Sequence, residues 1–142
     1  MKKLLIALLA LSPLAAQAGG VYFGGWSNHL TGSTDKTGYE YNEKHDLIAL
    51  EYKKVFVGTM LNSYDTRSYV LGYCFAPLST KYVDFKILAG AVHGYEKHQN
   101  DILRMGSLNG FIAPAVEINT PYIQPTVMLF GEALTLTFKY EF

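Results

Sequence analysis

The sequence predicts an all-β protein, an eight-stranded antiparallel transmembrane barrel of the outer-membrane kind, and three observations carry that expectation. The chain ends in an unbroken apolar–polar alternation, comparable segments recur along it, and its two long connections fall on the same side. In the last segment Leu134, Leu136, Phe138, Tyr140 and Phe142 share one face, while Thr135, Thr137, Lys139 and Glu141 share the other. A period of two marks a half-buried strand. In a membrane barrel the apolar face meets lipid and the polar face lines the interior.

The expected strands are 20–29, 46–53, 54–62, 67–76, 82–92, 109–118, 121–130 and 133–142. Eight is the smallest usual even count for a bacterial outer-membrane barrel, and spans of about nine to eleven residues suit a tilted transmembrane strand. The 11 Tyr, 8 Phe and 13 Gly favour strands and tight turns over helices. With the mature N-terminus in the periplasm, the long connections 30–45 and 93–108 are both extracellular, and the C-terminus returns to the periplasm. In the strand 67–76, Tyr69, Leu71, Tyr73 and Phe75 form a bulky face suited to lipid. Ser68, Val70, Gly72 and Cys74 form a small face suited to a narrow interior. The soluble alternative is a lipocalin-like periplasmic barrel with its core inside and a polar outer surface.

Ahead of the strands, Met1-Lys2-Lys3, an apolar run from Leu4 to Leu11, and Ala16-Gln17-Ala18 describe a secretory signal peptide over residues 1–18. The mature barrel domain is then 19–142. It contains no run of eighteen or more apolar residues, which argues against a spanning helix. Without Lys2 and Lys3 it has 10 basic and 12 acidic residues with neither sign clustered, so a nucleic-acid partner has no electrostatic support. Cys74 is the only cysteine, which rules out an intrachain disulfide.

Chemistry-bearing residues gather near the extracellular rim. His29 ends the first strand, His45 closes the first long loop, and His93 and His98 flank the start of the second. Rim histidines are commonly plain solvated residues, and His93 and His98 alone make a poor metal signal. Ser63, after Asn62, ends the third strand on the same rim as His29. An imidazole and a hydroxyl so placed suit acyl transfer, while Asn-Ser is equally at home in a hairpin turn.

The stretches Trp26 to Glu43 and Met60 to Phe75 resemble the lipid A palmitoyltransferase family of Gram-negative outer membranes. The shared features are His29, the loop motif Tyr41-Asn42-Glu43, and Asn62-Ser63-Tyr64 followed by Gly72-Tyr73. The resemblance implies an eight-stranded barrel enzyme with His29 and Ser63 as catalytic residues. Asn62 stands where the family has a catalytic aspartate; the resemblance implies that Asn62 itself, or a carboxylate such as Asp65, Glu43 or Asp46, orients the imidazole, and the alternative is chemistry that is weak, different or absent. The resemblance also implies an acyl-chain pocket involving Gly72, with Cys74 in place of a floor glycine and hence a shorter chain, and lateral gaps opened by prolines, to which Pro114 corresponds better than Pro125. The family's leading amphipathic helix is missing, since only Gly19 and Gly20 precede the first strand. No cofactor or metal is implied. The expected partners are phospholipid and lipid A in the outer-membrane bilayer, with the barrel assembly machinery for insertion.

Two rivals remain at this level. One is a non-enzymatic surface, adhesion or binding barrel that acts through its long loops. The other is a lipid A deacylase barrel, whose His-x-Ser pattern is absent, because Ser27-Asn28-His29 runs in the reverse order.

Overall fold

The computed structural model describes residues 19–142; the expected signal peptide lies outside them. The strands are β1 (Gly19–His29), β2 (Lys44–Tyr52), β3 (Val55–Leu61), β4 (Arg67–Ser79), β5 (Val83–His93), β6 (Arg104–Met105), β7 (Leu108–Ile118), β8 (Ile123–Phe130) and β9 (Ala133–Glu141). Eight of them are long and pair antiparallel with their neighbours, and the β1–β9 and β5–β7 ladders close the ring. The expected eight-stranded antiparallel barrel is therefore found. The short β6, not foreseen from sequence, pairs with Leu108 and Asn109 at the end of β7.

The connections sort as expected. Residues 30–43, 62–66, 94–107 and 131–132 lie at one end, the long-loop end, and 53–54, 80–82 and 119–122 lie at the other. Most boundaries fall within one residue of the sequence expectation, and three differ by more. β2 starts two residues early, at Lys44. β4 runs on to Ser79 across a bulge between Phe75 and Leu78. β8 starts at Ile123, because the turn at Pro121 and Tyr122, with Tyr122 at φ 71°, occupies the residues before it.

A strand's side chains alternate between faces, and on β4 Ser68, Val70 and Cys74 are buried while Tyr69, Leu71, Tyr73 and Phe75 are exposed. β1 breaks this rule once. Tyr22 points inward and Phe23 outward, but after the glycine pair Gly24 and Gly25 the parity flips, so that Trp26 is exposed and Ser27 buried. The register against both β2 and β9 shifts between Gly24 and Trp26. A bulge of one extra residue re-aims every side chain beyond it, and both glycines sit at positive φ, 85° and 101°, where a Cβ would be strained. A regular strand that buried Tyr22 would turn Ser27 and His29 to the outer surface.

The interior has two zones. Away from the long loops, Lys86 Nζ lies 2.7 Å from Glu117 Oε1, and Lys139 Nζ lies 3.3 Å from Glu51 and 3.9 Å from Glu117. The Tyr22 hydroxyl donates to Glu51 and the Thr126 hydroxyl to Glu117. The outer surface is the reverse, with exposed Ile48, Val57, Leu71, Leu78, Ile112 and Leu134. Buried charges persist only when paired, and here each sign answers the other.

Replacing Glu117 with Ala would leave Lys86 buried without its nearest partner. Loss of one member of a buried pair typically costs about 3–5 kcal/mol, so the urea unfolding midpoint of the folded barrel is expected to fall accordingly; an unchanged midpoint would show that the ion pairs do not hold the interior.

Candidate active site

The rim of the long-loop end brings together residues from β1, β2 and the turn after β3. His29 is the last residue of β1 and Ser63 lies in the 62–66 turn. The Nε2 of His29 is 3.1 Å from the Ser63 hydroxyl, a hydrogen bond across 34 positions of sequence. Strand β2 stands between β1 and β3, but the β2–β3 ladder runs only from Tyr52–Val55 to Ile48–Thr59. Beyond it the first long loop folds over, and the Asn42 N–H donates to the Ser63 carbonyl at 2.8 Å. The His29 ring stacks on Tyr41, with centroids 3.9 Å apart and planes 12° from parallel. Its Nδ1 is buried without a hydrogen-bond partner.

Asn62 does not orient His29. Its Oδ1 accepts from the N–H groups of Tyr64 and Thr66, and its Nδ2 donates to the Ser68 hydroxyl and the Gly94 carbonyl. A side-chain amide has two donors and two acceptor positions, and all four are used in tying the turn to β4 and to the loop after β5. The expected role in catalysis gives way to a structural one, on a side chain that is fully buried.

Of the other carboxylates expected, Asp65 accepts from the Tyr39 hydroxyl. Those that act electrostatically on His29 are Glu132 and Glu43. Glu132 was not foreseen. It sits beside His29 because β1 pairs with β9 in a register that sets His29 opposite Ala133, so the register of the closing ladder was the missing information. Tyr95 is a second residue not singled out in the sequence. Burial pushes its hydroxyl up to about 12, against hydrogen bonds from Ser63 that favour ionisation. Burial and its neighbours Tyr41 and Asp35 also push the Tyr64 hydroxyl up. Both are neutral donors near pH 7.

A second serine–histidine pair lies beside the first. Ser27 Oγ is 2.6 Å from His45 Nε2, and His45 Nδ1 is 2.7 Å from the Leu61 carbonyl. Gly25 makes room for this histidine, since a Cβ there would come within 3.1 Å of the His45 Cβ. By contrast His93 is exposed, and His98 meets only the solvated Glu96 at 3.2 Å. Among the described residues no three metal-ligating side chains converge.

Two cavities meet at His29 and Ser63. Below them an apolar pocket of about 100 Å³ enters the barrel, lined by Leu47, Phe56, Met60, Leu88, Phe111, Met128 and Phe130 among others, and it reaches Tyr22 at the edge of the charged zone. Above them a polar vestibule of about 360 Å³ lies under the loops, bounded by Asp35, Lys36, Tyr64, Tyr95, Gln99 and Glu132.

The expected pocket residues take other roles. A Cβ on Gly72 would lie 2.6 Å from the Phe56 ring, so this glycine admits the ring that lines the pocket without lining it. Cys74 is buried with Phe56 and Leu88 in the packed interior, near Glu51 and Lys86, and is not part of the lining. Pro114 faces outward. Its effect is on the wall, because the β7–β8 ladder holds just three pairs, Ala115–Met128, Val116–Val127 and Glu117–Thr126. Continued in register it would set Pro114 against Leu129 and Ile118 against Pro125, so a proline, with no N–H to give, stands at each end of the ladder. The β7 edge beyond Pro114 is left without a β8 partner up to β6.

No protein-family model matches the chain, and no curated protein matches it; the chemistry rests on the site itself.

Asn62→Asp is expected to gain no catalytic function, because position 62 faces the Ser68 hydroxyl and backbone groups, not His29. It would lose both amide donors and set a charge against the Gly94 carbonyl, costing about 1–3 kcal/mol as a lower urea midpoint. Raised lipid-modifying activity in this variant would show that the side chain turns to His29 after all.

Proposed function

We propose that the protein is an outer-membrane acyltransferase that moves a fatty acyl chain from a phospholipid to a hydroxyl of lipid A. The observation that carries this reading is the position of His29 and Ser63 at the junction of an apolar pocket and a polar vestibule. An acyl ester is amphiphilic, with a hydrocarbon tail for the one and a polar head for the other. Its carbonyl then falls at the boundary, next to the imidazole.

In the reaction His29 Nε2 takes the proton of the acceptor hydroxyl, the acceptor oxygen bonds to the acyl carbon, and the proton passes to the oxygen that leaves. When the acceptor displaces Ser63 from His29, the Ser63 hydroxyl is free to donate to the developing oxyanion. Preorganised donors at such a position are worth several kcal/mol. Tyr41 holds the ring by stacking, in place of the carboxylate that usually orients a catalytic histidine. The apolar outer surface suits insertion in the bilayer, and the interrupted seams at β7–β8 and β2–β3 suit lateral entry of lipid. The absence of a hydrogen-bonded carboxylate on His29 favours the rival, a binding barrel that holds an amphiphile in the same two cavities without chemistry.

Mass spectrometry of lipid A from cells expressing the gene is expected to show one added acyl chain. His29→Ala and Ser63→Ala should each reduce it by about a hundredfold or more while still fractionating with the outer membrane and migrating as heat-modifiable barrels. Unmodified lipid A with the wild-type protein in place would favour the binding barrel, and recovery from the soluble periplasm would overturn the membrane assignment.

A further inference from the structure

The Ser27–His45 pair is not used by the chemistry assigned to His29 and Ser63, yet it is the better ordered of the two. The Leu61 carbonyl can only accept, so a neutral His45 carries its proton on Nδ1 and directs it to that carbonyl at 2.7 Å. The Nε2 lone pair is then fixed on the Ser27 hydroxyl at 2.6 Å. Nucleophile, base and an orienting acceptor are in line, which is the general arrangement of an activated serine. His29, by comparison, has an unpartnered Nδ1, which leaves its tautomer open.

Position adds a second, independent reason. Ser27 and His45 are both buried, with 7% exposure each. Ser27 is not itself in the wall of the apolar pocket, but its neighbours are: its partner His45, Gly25 and His29 on either side of it along β1, and Thr135, its register partner in β9. Residues two apart on one strand face are separated by about 7 Å. An acyl carbon on Ser27 would therefore lie one acceptor hydroxyl away from His29.

We propose that Ser27 is an acyl-carrying nucleophile, with His45 as its base, and that the two pairs divide one transfer into two half-reactions. The inference rests on reading the pocket as an acyl-chain site. In the first half Ser27 Oγ bonds to the ester carbonyl carbon of a phospholipid, its proton moves to His45 Nε2, and the carbon–oxygen bond to glycerol breaks as that proton passes to the departing alcohol. In the second half the acceptor hydroxyl gives its proton to His29, its oxygen bonds to the same carbon, and the bond to Ser27 breaks. The proton returns to Ser27, and both histidines end as they began.

A serine-directed fluorophosphonate with a long alkyl chain tests this on the folded barrel in detergent, with the adduct located by peptide mass spectrometry. The expected result is an adduct on Ser27 that is absent in Ser27→Ala and forms about a hundredfold more slowly in His45→Gln, both variants being checked for heat-modifiable migration. A purely structural bridge between β1, β2 and β3 would give no adduct. An adduct on Ser63, no adduct on the wild type, or normal lipid A acylation by Ser27→Ala each overturns the proposal. In that last case acyl transfer at His29 and Ser63 stands by itself. An adduct on Ser27 without any transfer to lipid A keeps the nucleophile and removes the transferase reading.

Discussion

Closure of the sheet is the constraint from which the rest follows. Once β1 pairs with β9 and β5 with β7, each of the eight long strands has a neighbour on both sides, and unpaired edge is confined to short stretches such as β7 beyond Pro114. The period of two then fixes an inward and an outward set for each strand, and a narrow interior decides what the inward set can be. Small residues such as Gly72 and Ala113 alternate with a few large ones, Phe56 and Phe111. The charged residues Lys86, Glu117, Lys139 and Glu51 fall in one zone, where each finds a partner. The other zone is apolar up to the histidines.

Against that closed wall the irregularities stand out, and they concentrate around the site. The glycine bulge in β1 turns Ser27 and His29 inward. The β2–β3 ladder stops short of the rim, which lets His45 reach the Leu61 carbonyl, with Asp46 beside it at φ 44°. The two prolines of the β7–β8 seam limit that ladder to three pairs. Regular pairing supplies stability in most of the wall, and local breaks in it supply geometry where side chains from three strands must meet.

Much of the fold was legible in the sequence because period and connection length are local signals. The last strand, the β4 alternation and the sorting of long loops to one end could be taken directly from residue order. The placement of His29 and Ser63 on one rim was also legible, since strands one and three end on the same side, but their contact across β2 was not. What could not be seen depended on register. Gly24-Gly25 reads as ordinary strand glycine until its parity shift is measured, so Ser27 looked like a residue beside His29 and not like a partner of His45. Asn62 looked like a weakened catalytic acid because its four hydrogen-bond partners, on Tyr64, Thr66, Ser68 and Gly94, are defined only by the folded turn. Glu132 needed the β1–β9 register before it could be placed near His29, and Cys74 needed the depth of the ionic zone before it could be placed outside the pocket.

The ionic zone also determines what cannot pass. A hydrated ion moving along the barrel axis would meet Lys86, Glu117, Lys139 and Glu51 already neutralising one another, with the Thr126 and Tyr22 hydroxyls donating to the two carboxylates. To proceed it would have to shed its water and break those pairs in a medium of low dielectric. The ionic zone thus acts as a plug, closing the barrel axis beneath the apolar pocket.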